Sequence, residues 1–231
     1  DADGAYVLSA LLIGLALACL ALAGLPALWR RSYQPQARRL HEVDVDKLRA
    51  LTRPTDAPAL SVTVDGVRTD FSPRAITAVV GPNGSGKTTL MGRIAGRLSG
   101  GEVSPEGADV VLLTQRPGLP PRSTAVEAVA MVTRDKVRAQ ELLAAAGLHE
   151  LADVPVPALS GGQAAHVALV RALAARPAVL ILDEPLAAVD VKSAERWRRF
   201  LRAAREDRTT LLVTHNALDI ANLARDMLVM D

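Results

Sequence analysis

The sequence of 231 residues contains one cysteine, Cys19, and few aromatic residues, which make up 3% of the chain. A single cysteine excludes an intrachain disulfide and favours a cytosolic setting for the polar part of the chain. The histidines show no metal-ligand spacing; they are His41, His149, His166 and His215. The 27 basic and 25 acidic residues leave a net charge of +2, which argues against a broad nucleic-acid-binding surface.

Charge is also absent from one long segment near the N-terminus, between Gly4 and Trp29. A helix over residues 6–27 would span about 33 Å, enough to cross the hydrocarbon core of a bilayer. Residues 1–29 are therefore predicted to form a transmembrane helix. A signal peptide and a buried helix are the alternatives, but acidic rather than basic residues precede the apolar run. Four arginines follow the run and favour a cytoplasmic location for the rest of the chain: Arg30, Arg31, Arg38 and Arg39.

The remaining sequence divides into a linker and one domain. Residues 30–58 are polar and interrupted by prolines, so we expect a linker with one short element near residues 43–51. From residue 59, short apolar runs alternate with helical stretches, which is typical of an α/β domain with a parallel sheet. A helical insertion is expected at about residues 116–159, and Thr124 and Glu127 have the spacing of a capping box. The chain begins without methionine and ends on a predicted strand, so we interpret it as a fragment truncated at its C-terminus.

A glycine-rich segment carries the strongest chemical signal. The stretch GPNGSGKTT lies between a predicted strand and a predicted helix and matches the pattern G-x-x-x-x-G-K-[ST]. Its glycines let backbone N–H groups surround phosphate oxygens, and the helix N-terminus adds a favourable dipole. Lys87 is expected to reach the β- and γ-phosphates, and the Thr88 hydroxyl to ligate Mg²⁺. The predicted nucleotide-binding residues are Gly81, Pro82, Asn83, Gly84, Ser85, Gly86, Lys87, Thr88 and Thr89.

A second motif, VLILDEP at residues 179–185, ends an apolar strand with two carboxylates. Ligands bind at the carboxyl ends of strands in open α/β sheets. Asp183 is expected to hold Mg²⁺, and Glu184 to orient or deprotonate the attacking water. Such a strand end is weak evidence by itself, but together with the phosphate-binding loop it predicts ATP hydrolysis.

The pentapeptide LSGGQ lies between these two motifs, at residues 159–163. With it, the chain resembles the ATP-binding domain of ABC transporters over about residues 59–231. The resemblance implies an α/β P-loop NTPase of ABC type that uses ATP and Mg²⁺. It also implies that Gln115 contacts Mg²⁺ or water, that His215 contacts the γ-phosphate, and that Asp190 lies at a dimer contact. The signature residues would meet the γ-phosphate bound by a second domain; they are Ser160, Gly161, Gly162 and Gln163. Read without the family, Ser160 and Gln163 form a helix-capping box.

The sequence departs from the family pattern in the region that would bind the nucleotide base. No aromatic residue that could stack on adenine occurs shortly before the loop, and Phe71 is expected in the core. The stretch from Lys87 to Gln115 is short, so the antiparallel sheet is expected to be reduced. Poor discrimination between bases follows as a prediction.

The order of segments, membrane helix followed by ATPase, indicates a transporter fusion. The apolar segment is similar to the last helix of molybdate- and sulfate-type permeases, so we expect ATP hydrolysis to drive uptake of an oxyanion such as molybdate. An ABC exporter half-transporter and a non-transport ABC ATPase are the alternatives. The expected partners are a second ATP-binding domain, permease helices and a periplasmic or lipid-anchored substrate-binding protein. The expected location is the bacterial plasma membrane, with the ATPase on its cytoplasmic face.

Overall fold

The structure, a computed structural model, describes residues 40–115 and 118–231. The transmembrane helix predicted for residues 1–29 lies outside these residues, as does the first part of the predicted linker. Within the described part of the chain, no helix is both long and apolar enough to cross a membrane.

A five-stranded parallel sheet forms the centre of the domain, in the order β5-β6-β7-β3-β8. Its inner strands are buried on both faces, which explains their continuous apolar sequences. These runs were predicted as strands from the sequence. The strands are β3 (Ile76–Val80), β5 (Val110–Leu113), β6 (Val179–Asp183), β7 (Thr209–Val213) and β8 (Asp226–Val229).

A smaller antiparallel sheet of three strands lies beside it, in the order β2-β1-β4. Its strands are β1 (Leu60–Val64), β2 (Val67–Phe71) and β4 (Gly101–Ser104). Strands β1 and β2 pair as the hairpin predicted at Asp65 and Gly66. The φ angles of these two residues are 50° and 80°, and a two-residue hairpin turn requires such positive values. Phe71 is buried, as predicted, in an apolar cluster shared by the two sheets.

Seven α-helices occur among the described residues: α1 (Val45–Thr52), α2 (Lys87–Ile94), α3 (Ala125–Thr133), α4 (Lys136–Ala145), α5 (Gly161–Ala174), α6 (Val191–Ala203) and α7 (Ala217–Leu223). The predicted helical insertion contains α3, α4 and two short 3₁₀ helices, His149–Leu151 and Val156–Ala158. Thr124 and Glu127 form the predicted capping box at the start of α3. The insertion packs through α3 on α5, so the LSGGQ helix joins it to the central sheet.

Helix α1 lies in the segment that the sequence assigns to a linker. Leu48 is completely buried in the main apolar core and belongs to the same compact unit as the rest of the described residues. Arg49 donates two hydrogen bonds to the buried carboxylate of Asp207, at 2.6 and 2.9 Å. Arg208 donates to the carbonyl of Thr52 at 2.6 Å. The described part of this segment is therefore packed against the domain, and α1 lies where the sequence predicts a short element, near residues 43–51.

Candidate nucleotide-binding site

The register of the central sheet brings the predicted site residues to one edge. Asp183, the last residue of β6, pairs with Val213 at the end of β7, and Val213 pairs with Val79 near the end of β3. Since the strands are parallel, the segments that follow them start side by side. The glycine-rich loop, the two carboxylates and His215 thus emerge at the same end of the sheet.

The glycine-rich loop joins β3 to α2 and bends sharply at its end. Gly86 precedes the helix with a φ of 88°, a left-handed conformation that side chains disfavour. Lys87 begins the helix and is largely buried. Its Nζ donates to the carbonyls of Gly81 and Pro82 at 2.8 and 2.7 Å. The ammonium group therefore lies inside the loop, where it adds positive charge to the N-terminal end of a helix.

The two carboxylates at the end of β6 lie in different surroundings. Asp183 is partly buried, and burial together with the charge of Glu184 raises the pKa of its carboxyl group. Glu184 accepts a hydrogen bond from the backbone N–H of His215 at 2.8 Å through one oxygen. The Thr214 hydroxyl donates to the other oxygen at 3.4 Å. The Glu184 side chain is thus fixed to the segment that follows β7.

A cleft of about 410 Å³ collects most of the predicted residues. Gln115, predicted from the family resemblance alone, lies on its wall together with His215. The lining also includes the exposed face of the loop and helix α2. The predicted residues in this cleft are Asn83, Gly84, Gly86, Lys87, Thr88, Thr89, Gln115, Asp183, Glu184 and His215.

The cleft fits a magnesium nucleotide. Loop N–H groups and the Lys87 ammonium suit phosphate oxygens. The hydroxyl of Thr88, the amide oxygen of Gln115 and the carboxylate of Asp183 line the same space. These are the hard oxygen donors that Mg²⁺ prefers. Burial first, and then the charge of Glu184, raises the pKa of Asp183, and a divalent cation bound to this carboxylate would favour its ionised form.

The LSGGQ segment lies apart from this cleft, and none of its residues lines it. Ser160 and Gln163 form a reciprocal capping box at the start of α5: the serine hydroxyl accepts from the Gln163 N–H at 3.2 Å, and the Gln163 side chain accepts from the Ser160 N–H at 3.0 Å. The sequence predicts this box. A Cβ placed on Gly161 would meet no atom within 4 Å. There is therefore free space beside Gly161, and the first N–H groups of α5 have no partner inside the helix.

Asp190, predicted at a dimer contact, caps helix α6. Its carboxylate accepts from the Ser193 backbone N–H at 3.0 Å, and hydrogen bonds from Ser193 lower its pKa. Asp190 lies between Asp183, which ends β6, and helix α6, which contains the buried Trp197. The structure therefore shows Asp190 as a helix cap, and its position at a dimer contact remains a prediction.

Two features near the site were not found from the sequence. His166, on the LSGGQ helix, is buried and accepts a 2.6 Å hydrogen bond from the Trp197 indole through Nδ1. It thereby joins α5 to α6. The second feature is a cleft of about 490 Å³ beside Gly86, lined mainly by aliphatic side chains of the hairpin, of β8 and of Met230, which follows β8. A buried histidine on an apolar helix face has no recognisable sequence pattern. The cleft could not be predicted because it is formed by strands and a helix that are remote in sequence.

The family model for ABC transporters matches residues 64–187, which include the loop, the LSGGQ segment and both carboxylates. The chain belongs to the ABC transporter family. The matched region carries the segments of the ATP-binding domain of that family.

Several relatives of this ABC domain carry names that state a transported ion. The chain is 36% identical over 196 residues to the sulfate/thiosulfate import ATP-binding protein CysA of Ralstonia nicotianae, covering 74% of this chain and 53% of the relative. It is 37% identical over 188 residues to the molybdenum import ATP-binding protein ModC of Mycobacterium tuberculosis, covering 68% and 51%. It is 35% identical over 190 residues to the bicarbonate transport ATP-binding protein CmpD of Synechococcus elongatus, covering 72% and 67%. The chain spans about half the length of the first two relatives.

Among solved structures, the ABC domain is similar to a dimeric ATP-binding cassette in a post-hydrolysis state bound to ADP and Pi. The TM-score is 0.68 with 23% identity, over 74% of this chain and 94% of that chain. This likeness establishes the α/β P-loop fold that the sequence predicts.

Proposed function

We propose that this chain hydrolyses ATP to drive uptake of an inorganic oxyanion across the bacterial plasma membrane. The observation that carries the proposal is the single cleft that contains Lys87, Gln115, Asp183, Glu184 and His215. The names of the relatives support import rather than export, since they cite sulfate, thiosulfate, molybdenum and bicarbonate. Molybdate is one substrate within this class.

The residues of the cleft suit phosphoryl transfer to water. Lys87 and the loop N–H groups bind the phosphates and hold the γ-phosphoryl group in position. Thr88, Asp183 and Gln115 hold Mg²⁺, which neutralises phosphate charge when it is bound. Glu184 orients the attacking water and accepts its proton, and His215 contacts the γ-phosphate from the adjacent segment.

Two features indicate the partners: no LSGGQ residue lines the nucleotide cleft, and transport requires a path across the membrane. The first N–H groups of α5 have no partner inside the helix, and the LSGGQ segment lies outside the nucleotide cleft, so we expect a second ATP-binding domain to bring its bound phosphate to them. Permease helices couple hydrolysis to transport, and a periplasmic or lipid-anchored protein delivers the substrate. In this arrangement the ATPase lies on the cytoplasmic face of the membrane. The transmembrane helix at residues 1–29 remains a prediction.

Two measurements on the full chain test the proposal. Mg²⁺-dependent phosphate release from ATP is expected for the parent and at background level for Lys87→Ala. In cells whose own copy carries Lys87→Ala, uptake of labelled molybdate or sulfate is expected to fall. Hydrolysis without any change in oxyanion uptake would contradict the transport role while leaving the ATPase role intact. Absence of hydrolysis in the parent would contradict both.

A further inference from the structure

A second cluster of chemically active side chains lies outside the nucleotide cleft. His41, His149 and Glu150 place one possible ligand atom each within 4.8 Å of the others. The two imidazole rings are 4.3 Å apart between centroids, and His41 Nε2 lies 2.8 Å from a Glu150 carboxylate oxygen. The side chains of His41 and Glu150 are 43% and 38% exposed. Ions in solution can therefore reach them.

The cluster joins two segments that are remote in sequence. His149 and Glu150 belong to a 3₁₀ helix that follows α4, and its next residue, Leu151, is buried and holds the helix against the insertion. His41 lies on the strap, the name we give to residues 40–44 before α1. The cluster therefore connects the strap with the helical insertion.

Backbone contacts fix the strap beside the 3₁₀ helix. The N–H of His41 donates to the carbonyl of Gly147 at 2.9 Å, and that of Asp44 donates to the carbonyl of Ala145 at 2.8 Å. Gly147 has a φ of 71°, and a Cβ at this position would lie 2.3 Å from the His41 carbonyl oxygen. Only glycine fits such an approach. The backbones that carry the three side chains are thus held in place, which lowers the entropic cost of gathering them around a ligand.

A third element holds the other side of the strap. Arg196, on α6, donates to the carbonyls of Leu40 and His41 at 3.2 and 3.1 Å. Arg196 and Arg199 also pair with the Glu42 carboxylate at 3.2 and 2.9 Å. Glu42 is therefore occupied by arginines, so the cluster offers three protein ligands.

We propose that His41, His149 and Glu150 bind a divalent transition-metal ion, with Zn²⁺ as the best match. Two imidazole nitrogens and one carboxylate oxygen are a common donor set for Zn²⁺, with solvent at the fourth position. Tetrahedral coordination places ligand atoms roughly 3.3 Å apart. The ligand atoms lie within 4.8 Å of one another, and rotation of the exposed side chains brings them to the tetrahedral spacing. His41 and Glu150 then coordinate the ion, and the hydrogen bond between them is lost. The bound ion ties the strap to the insertion, independently of ATP hydrolysis.

Zinc titration of the full chain tests the site. The nucleotide-depleted chain in detergent is titrated with chelator-buffered Zn²⁺, with Mg²⁺ present to occupy weak carboxylate sites. We expect one high-affinity Zn²⁺ per chain. His41→Ala and His149→Ala should each weaken binding at least tenfold, because each removes one of three ligands. Zn²⁺ should raise the unfolding temperature of the parent and leave that of His149→Ala unchanged.

Matched controls separate this site from other donors. Cys19→Ser, His215→Ala and Glu106→Gln remove a thiol, an imidazole and an exposed carboxylate elsewhere in the chain, and should leave Zn²⁺ affinity unchanged. Circular dichroism in the absence of metal shows whether each variant folds. His149→Asn, which keeps a polar side chain of moderate size, replaces an alanine variant that does not fold. The proposal is overturned if the parent shows no saturable binding, or if both folded cluster variants keep the Zn²⁺ affinity of the parent.

Discussion

Glu184 is held in an unusual backbone conformation at the end of β6. Its φ is 50°, in the left-handed region that costs a non-glycine residue about 1–3 kcal/mol unless its surroundings fix it. Here the Glu184 N–H donates to the carbonyl of Val213 at 2.9 Å, while its carboxylate accepts from the N–H of His215. Two backbone contacts to the β7 segment thus orient the side chain. This orientation suits a general base that faces the phosphate loop.

Replacing this carboxylate by an amide separates binding from hydrolysis. Glu184→Gln keeps an oxygen that accepts from His215 but cannot accept a proton from water. We expect turnover to fall by roughly 10²–10⁴-fold while ATP affinity is retained. Steady-state phosphate release and equilibrium nucleotide binding measure the two effects. Glu106→Gln, on an exposed loop, is the control, and hydrolysis by Glu184→Gln at the parent rate would exclude Glu184 as the base.

His166 makes folding stability depend on pH. Burial lowers its pKa from 6.5 to about 4, with Arg196 adding to the decrease and Asp190 opposing it. Between these pH values the unfolded chain binds a proton that the folded chain does not. The contribution of the neutral imidazole to stability is therefore complete above pH 6.5 and is lost as pH falls towards 4, by about 3 kcal/mol.

The variant His166→Gln isolates this effect. Glutamine retains an oxygen that can accept from the Trp197 indole but does not titrate. The free energy of unfolding, from urea curves between pH 8 and pH 5, is expected to fall less steeply for the variant than for the parent. His166→Gln is also expected to lower the free energy of unfolding at pH 8, because glutamine differs in shape from histidine. The comparison therefore uses the change of the unfolding free energy with pH and not its value at one pH. Identical slopes would show that other groups cause the acid sensitivity.

At the scale of elements, the short hairpin of β1 and β2 shapes the space beside the phosphate loop. Val62 and Val64 face a cleft that Gly86, Leu228 and Met230 also line. The lining of this cleft, among the described residues, contains no aromatic side chain. An aliphatic surface offers a nucleotide base apolar contact without the stacking that an aromatic ring provides, worth roughly 1–3 kcal/mol. Binding energy should then come mainly from the phosphates and Mg²⁺.

Base discrimination by this surface is expected to be weak, so GTP should compete with ATP almost equally. A competition titration with a fluorescent nucleotide measures the ratio. Val67→Tyr places a ring at the exposed rim of the cleft and should tighten ATP binding about fivefold or more. Val137→Tyr, at an equally exposed position on α4, is the control. A parent that prefers ATP by orders of magnitude would show that another aromatic residue recognises the base.

The elements also show what the sequence could predict and what it could not. The capping boxes at Thr124 and Ser160 could be predicted, because each needs only two suitable residues three positions apart. The buried strands could be predicted too, because continuous apolar runs are enough to indicate them. Helix α1 coincides with the short element expected near residues 43–51, but the polar composition of this segment predicts a linker and not a helix packed into the domain. Its stability comes from remote residues such as Asp207. The same limit applies to His41 and His149, which are brought together only by folding.

At the scale of the whole molecule, the predicted site is divided between two surfaces. The cleft around Lys87 holds the residues predicted to bind phosphate and to support hydrolysis, whereas the N-terminus of α5, with the exposed Gly161, lies outside it. Charge stabilisation supplied by a second domain can accelerate phosphoryl transfer by about 10³–10⁵. We therefore expect two chains to pair head to tail, each α5 N-terminus completing the cleft of the other. One domain alone should turn over very slowly.

A mixed dimer tests this pairing, with Lys87→Ala on one chain and Gly161→Asp on the other. Gly161 is the better position for the acidic substitution, because a Cβ there would meet no atom within 4 Å, whereas a Cβ at Gly162 would lie 3.0 Å from the Ala188 carbonyl oxygen. If the sites are shared, both defects fall in one site and the other stays intact. Differently tagged chains, purified as the mixed dimer, should then trap nucleotide with vanadate at one site.

The reciprocal dimer provides the matched control, because the two arrangements predict opposite results for it. Here both substitutions are placed on one chain, and the partner chain is unchanged. Shared sites then contain one defect each, so vanadate should trap no nucleotide. Sites formed within one chain would instead leave the unchanged chain competent, while both sites of the first dimer would fail. Trapping in the reciprocal dimer alone would therefore reject the head-to-tail arrangement.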